Sequence, residues 1–174
     1  MTKFFFITSM ILLTAAANAQ DFKIGEKVYV GGGLGFNINN QVTSFSISPY
    51  AAYKLTDKLS SGLRFTYQYT RFQFSDDRIT AYGFGPFVRY QIAGPLFGWA
   101  EYEYLRFDVR NPTLTTETAT QSFNSVFVGG GLSQPLGRTA GLNFMVLYNV
   151  TYGDGVNQPY NSPIVVRAGI DVGF

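Results

Sequence analysis

Ile164-Val165-Val166-Arg167-Ala168-Gly169-Ile170-Asp171-Val172-Gly173-Phe174 is the stretch that decides the fold. A strand turns successive side chains to opposite faces. Ile164, Val166, Ala168, Ile170, Val172 and Phe174 therefore share one face, and Val165, Arg167, Gly169, Asp171 and Gly173 the other. Ends of water-soluble domains are usually frayed and polar, whereas here the alternation runs to a final aromatic tooth. The stretch is read as the closing strand of a two-faced sheet.

Working back along the chain, the same period of two predicts seven more strands. They are Lys27–Asn37, Phe45–Leu55, Gly62–Phe72, Ile79–Ile92, Leu96–Phe107, Phe123–Gln134 and Gly141–Tyr152. Each reaches the roughly 9–11 residues that a tilted membrane-spanning strand needs. In strand three, for example, Leu63, Phe65, Tyr67 and Tyr69 stand against Arg64, Thr66, Gln68 and Thr70. Between strands, the odd connections read as long (Ile38–Ser44, Gln73–Arg78, Asp108–Ser122, Gly153–Pro163). The even ones read as tight turns (Thr56-Asp57-Lys58, Ala93-Gly94-Pro95, Gly137-Arg138-Thr139). That asymmetry belongs to an up-and-down barrel with both termini in the periplasm and longer loops outside.

Charges assign the faces. Arg64, Arg89 and Arg167, with Glu101, Glu103 and Asp171, all lie opposite the apolar teeth. An Arg at the bilayer midplane costs roughly 2–4 kcal/mol. Three such residues would approach a domain's whole stability of about 5–15 kcal/mol. They are expected inside. The outer face is then apolar, with Tyr53, Tyr69, Tyr90, Tyr104 and Tyr152 near strand ends, where aromatic girdles meet headgroups. Arg106 shares the outward parity of Tyr102 and Tyr104, so either it sits above the hydrocarbon or a bulge shifts the phase.

Composition agrees with a barrel of this polarity. Aromatics make up 17% and charged residues only 14%, yet no apolar run in the mature chain is long enough for a spanning helix. Lys3, the apolar Phe4–Leu13 and Ala17-Asn18-Ala19 form a secretory signal peptide. Cleavage leaves residues 20–25 as a short periplasmic segment and 26–174 as one barrel domain. The mature chain keeps a single excess positive charge, which gives no reason to expect nucleic acid. With no cysteine, disulfides, thiolate metal sites and a lipoprotein anchor are excluded.

Ala17-Asn18-Ala19, the eight alternating strands, the inward charges and the closing Ile170-x-Val172-x-Phe174 together resemble the small outer-membrane β-barrel proteins of the OmpA-transmembrane-domain and OmpX type. The resemblance is architectural and covers about residues 25–174; a peptidoglycan-binding domain like OmpA's is not expected. It implies an all-β, eight-stranded antiparallel up-and-down transmembrane barrel in a Gram-negative outer membrane. It also implies that Ile170, Val172 and Phe174 serve as the insertion signal for the barrel-assembly machinery. The surroundings would be lipid and lipopolysaccharide, and the role one of envelope integrity or adhesion.

Eight strands enclose a lumen just wide enough for side chains to fill. Arg64, Arg89 and Arg167 are expected to pair with Glu101, Glu103 and Asp171 in a plug among Tyr29, Tyr50, Phe87, Phe127, Met145 and Leu147. The repeat Val28-Tyr29-Val30-Gly31-Gly32-Gly33-Leu34 and Val126-Phe127-Val128-Gly129-Gly130-Gly131-Leu132 precedes no helix. It reads as relief of crowding in a bent wall, and a phosphate loop would need that helix. No catalytic, cofactor or metal site is expected. Histidine is absent, which removes the usual serine-activating base. Glu101 and Glu103 are more naturally structural, and Asp76-Asp77 alone is a weak cation site. Asn149-Val150-Thr151 fits a glycosylation triplet but falls inside a strand.

Function is then expected in the loops, foremost the threonine-rich third one, with Pro112, Thr113, Thr115, Thr116, Thr118 and Thr120 as candidate contact residues. Two further readings stay open: an accessory subunit of a larger envelope complex packing through its aromatics, and a small low-conductance pore. A soluble ligand-binding barrel would need the opposite polarity.

Overall fold

The computed structural model describes residues 27–38, 42–72, 78–110, 118–153, 160 and 162–173. Eight strands form one closed barrel: β1 (Val28–Ile38), β2 (Val42–Lys54), β3 (Leu59–Phe72), β4 (Arg78–Ala93), β5 (Leu96–Arg110), β6 (Thr118–Leu136), β7 (Ala140–Asn149) and β8 (Ile164–Val172). Each pairs antiparallel with its sequence neighbours, and β8 closes onto β1. This is the eight-stranded antiparallel barrel expected from the alternation. The signal peptide, the segment 20–25 and Phe174 lie outside the described residues.

The wall alternates as the sequence does. Along β4 and β7 buried and exposed positions take turns, with Phe87, Met145 and Leu147 inside and Phe84, Val88, Phe144 and Val146 outside. The inside is packed with rings: Phe87 stacks on Trp99 at 4.1 Å between centroids, and Tyr50 meets both edge-on. A second inward cluster joins Ala81, Leu105 and Phe107 to Ile79 and Phe123.

Local chemistry fixes the even turns. Between β2 and β3, Thr56 Oγ1 accepts hydrogen bonds from the backbone N–H groups of Lys58 (3.2 Å) and Leu59 (2.9 Å). Between β4 and β5, Gly94 takes φ +51°, which favours glycine. Beside it a bulge at Gln91/Ala93 lets the Gln91 amide donate to the Gly94 and Leu96 carbonyls. Gly137 at φ +75° turns β6 into β7.

Two of the four odd connections, the first and the third, are shorter than expected. β1 ends at Ile38 and β2 starts at Val42, so the first is no longer than an even turn. The third shrinks from Asp108–Ser122 to 111–117, because β5 and β6 stay paired as far as Arg110↔Thr118. Its outer rungs are polar, such as Asp108↔Thr120, with Thr120 Oγ1 donating to Asp108 Oδ1 at 2.9 Å. Apolar teeth mark only the part of a strand whose outer face is apolar, while the hydrogen-bonded ladder continues beyond them on β-favouring threonines. β7, by contrast, stops early. Asn149 Oδ1 accepts from the backbone N–H and the hydroxyl of Thr151 (3.1 and 2.8 Å), a local turn that breaks the strand before Tyr152. Asn149 is 1% exposed, so the glycosylation triplet is closed to modification. At Arg106 the β4–β5 register runs unshifted, so its outward parity is real. It lies beside Asp108, 3.5 Å away, on an exposed stretch of wall.

Candidate functional site: the lumen

Register sets two of the inward charges, Arg64 and Asp171, on one row of facing pairs. Tyr50 of β2 faces Arg64 of β3 and Gly31 of β1, and Gly31 faces Asp171 of β8. Arg64 (3% exposed), Glu101, Glu103 and Asp171 are buried, and Arg89 and Arg167 are partly so.

Two knots result. In one, Arg167 Nη1 donates to both oxygens of Glu101 at 2.9 Å. Arg64 Nε lies 3.2 Å from the same carboxylate, which also accepts from Trp99 Nε1 at 2.8 Å. In the other, Asp171 accepts from Arg89 Nη1 and Asn143 Nδ2, both at 2.8 Å, and from the Tyr50 hydroxyl. Each arginine also covers a ring: Arg64 over Tyr50 and Trp99, Arg89 over Phe97, Arg167 over Phe127, at 4.1–5.3 Å. Glu103 accepts instead from Thr66 and from the hydroxyl of Tyr160, which hangs into the lumen from the β7–β8 connection. Burial pushes the Tyr160 phenol up, and Glu103 reinforces this, so it stays a donor at neutral pH.

Five of the six charged residues are thus gathered into ion pairs, with Glu101 shared by two arginines, and the sixth, Glu103, is held by hydroxyls. Tyr50, Trp99, Asn143 and Thr66 complete the knots. All four have inward parity, so alternation marks them, but polarity alone gives no signal to single them out. Tyr160 lies in a non-periodic segment and carries no such signal.

Two cavities flank the knots. One of about 220 Å³ is lined by Ser46, Ser48, Arg64, Gln68 and Tyr160. Another of about 250 Å³ is lined by Tyr29, Lys54, Ser60, Arg89 and Gln91. Asp171 stands between them: its partners Tyr50 and Asn143 face the first and Arg89 the second. Two groups stay unsatisfied among the described residues, the Tyr29 hydroxyl and Arg64, whose Nε is poorly aligned on Glu101 and whose Nη2 has no hydrogen-bond partner.

Of the remaining candidates, Ile170 points outward at 50% exposure, Val172 is half-buried, and Phe174 lies outside the described residues. So do Pro112, Thr113, Thr115, Thr116 and Asp76-Asp77. Thr118 opens β6 and Thr120 is a ladder residue bonded to Asp108, so neither belongs to a loop. The glycine repeat acts as spacing. A Cβ on Gly31 would meet Tyr50 Cζ and Asp171 Oδ1 at 2.5 and 2.6 Å, and one on Gly131 would press Phe97 Cζ at 2.8 Å.

No family model matches the sequence, and no curated protein does. Among solved structures, the chain is similar to Neisserial surface protein A (TM-score 0.46, 19% identity, covering 84% of this chain and 97% of that one). It is also similar to the N-terminal β-barrel domain of Pseudomonas aeruginosa OprF (TM-score 0.44, 12% identity, 84% and 96% covered). A third likeness is to a de novo designed transmembrane β-barrel (TM-score 0.41, 15% identity, 84% and 94% covered).

Proposed function

We propose that this chain is a non-enzymatic integral barrel of a bacterial outer membrane, both termini periplasmic, its lumen plugged by the charged knots, with a structural or surface-interaction role. One observation carries the reading: the barrel is inside-out. Leu63, Phe65, Phe84, Phe144, Val146 and Val166 are exposed, while Arg64, Glu101, Glu103 and Asp171 are buried. In water such a continuous apolar wall would be an aggregation surface. In a bilayer it is the required lipid face, and closure leaves few edges to satisfy. A plug is supported by the engagement of Arg64, Arg89, Arg167, Glu101, Glu103 and Asp171 and by the ring stack across the lumen. Glu101 and Glu103 are both occupied as acceptors, which leaves neither poised as a general base.

The signal peptide delivers the chain to the periplasm, and Ile170, Val172 and Phe174 present it to the barrel-assembly machinery. Lipid and lipopolysaccharide then surround it, with contacts to any envelope partner made at the rim. Carbonate-washed membranes should retain the protein until detergent is added; release by carbonate alone would contradict membrane integration. Planar bilayers should show no sizeable unitary conductance, and steady open channels would contradict the plug. The two cavities on either side of Asp171 favour one second reading, a small pore that conducts weakly when that knot loosens.

A further inference from the structure

The β1–β8 ladder closes the barrel through four residue pairs, Val30↔Val172 to Gly33↔Gly169. On their other sides the same strands are paired much further, β1 with β2 to Ile38↔Thr43 and β8 with β7 to Tyr148↔Ile164. Past Gly33, the facing edges Leu34–Ile38 and Ile164–Ala168 are therefore both strand, yet their mutual ladder does not continue among the described residues. In hydrocarbon each unsatisfied backbone group costs several kcal/mol. Something polar has to meet these edges.

The cavity of about 220 Å³ lies directly behind the seam, bordered by Gly33 and Leu34 on one side and Val165–Gly169 on the other. Its far wall carries Arg64, 97% buried by side chain, with Nη2 unpartnered. The neighbouring carboxylates are already engaged, Glu101 by Arg167 and Trp99, Glu103 by Thr66 and Tyr160. The outer rim of the slot is apolar: Leu34 is 46%, Ile164 56% and Val166 72% exposed. A pocket with spare guanidinium donors, behind an apolar slot in a membrane wall, suits a molecule with an anionic head and a greasy chain.

The geometry points to a lateral lipid site: the open upper half of the β1–β8 seam admits the phosphate headgroup of an anionic membrane lipid to Arg64, its acyl chains remaining outside against Leu34 and Val166. This rests on the membrane-spanning reading above.

The test is native mass spectrometry of the full mature chain, purified in mild detergent and offered phosphatidylglycerol or phosphatidylcholine at equal concentration. The folded protein should retain one phosphatidylglycerol in preference to phosphatidylcholine. Arg64→Gln should lower that retention on the order of tenfold or more, the scale of one charge-assisted hydrogen bond. Ser46→Phe, which fills the cavity and keeps Arg64, should do the same. Equal retention of the two lipids, or retention unchanged in a folded Arg64→Gln variant, would overturn the proposal. A lipid-free double mass would overturn it too, by placing a second copy's strand on the seam. Should either variant fail to fold, amide exchange of the wild type decides: Leu34 and Ile164–Ala168 should exchange faster than Val30–Gly33 and slow when phosphatidylglycerol is added, and uniform protection would overturn the slot. Failure of the membrane reading looks different, because the chain would then be folded and soluble without detergent.

Discussion

Asp171 is the residue on which the lumen turns. It is fully buried and accepts from a cation, an amide and a phenol drawn from three other strands. Asp171→Asn keeps the shape and removes the charge, leaving Arg89 buried without its counter-ion. Breaking a buried pair from one side typically costs about 3–5 kcal/mol. Urea unfolding in lipid vesicles should show a loss of that order, and a change near zero would show that Asp171 carries no charge in the folded lumen. The double variant Asp171→Asn with Arg89→Met should lose less than the two single changes summed. Gly31→Ala should be destabilised by about 1–3 kcal/mol, since its methyl collides with the same Tyr50–Asp171 contact. Parity sorted Arg64, Arg89 and Asp171 to the inside from the sequence alone. What it could not supply is which cation meets which carboxylate, because partners such as Arg89 and Asp171 lie on strands far apart in the chain and meet only once the barrel closes.

At the scale of the strand, each face performs one task. Phe144 of β7 points outward at 55% exposure and its neighbour Met145 inward. Phe144→Arg should cost roughly 2–4 kcal/mol in vesicles if it lies near midplane, and Tyr148→Arg, near the strand end, about 0–1 kcal/mol. Equal effects at the two positions would contradict a bilayer crossing along β7. Element identity was legible because a closed barrel with one apolar and one polar face enforces strict alternation, and the even turns because Thr56, Gly94 and Gly137 carry their own turn chemistry. Strand ends were not. Away from the apolar wall nothing compels apolar teeth, so the polar rungs Asp108↔Thr120 and Arg110↔Thr118 read as a loop in the sequence. Asn149 ended β7 through a side-chain bond invisible to periodicity.

Across the whole molecule, polarity is reversed relative to a water-soluble barrel, and the proposed plug and the proposed lipid slot both depend on that reversal. The cysteine-free chain allows it to be read directly. Single cysteines placed in turn from Leu142 to Tyr148, labelled with a small fluorophore in reconstituted vesicles, can be quenched by lipids brominated on their acyl chains. Quenching should alternate, strong at 142, 144, 146 and 148 and weak at 143, 145 and 147. The opposite phase, or no quenching at any position, would contradict a membrane-spanning barrel with its charges inside.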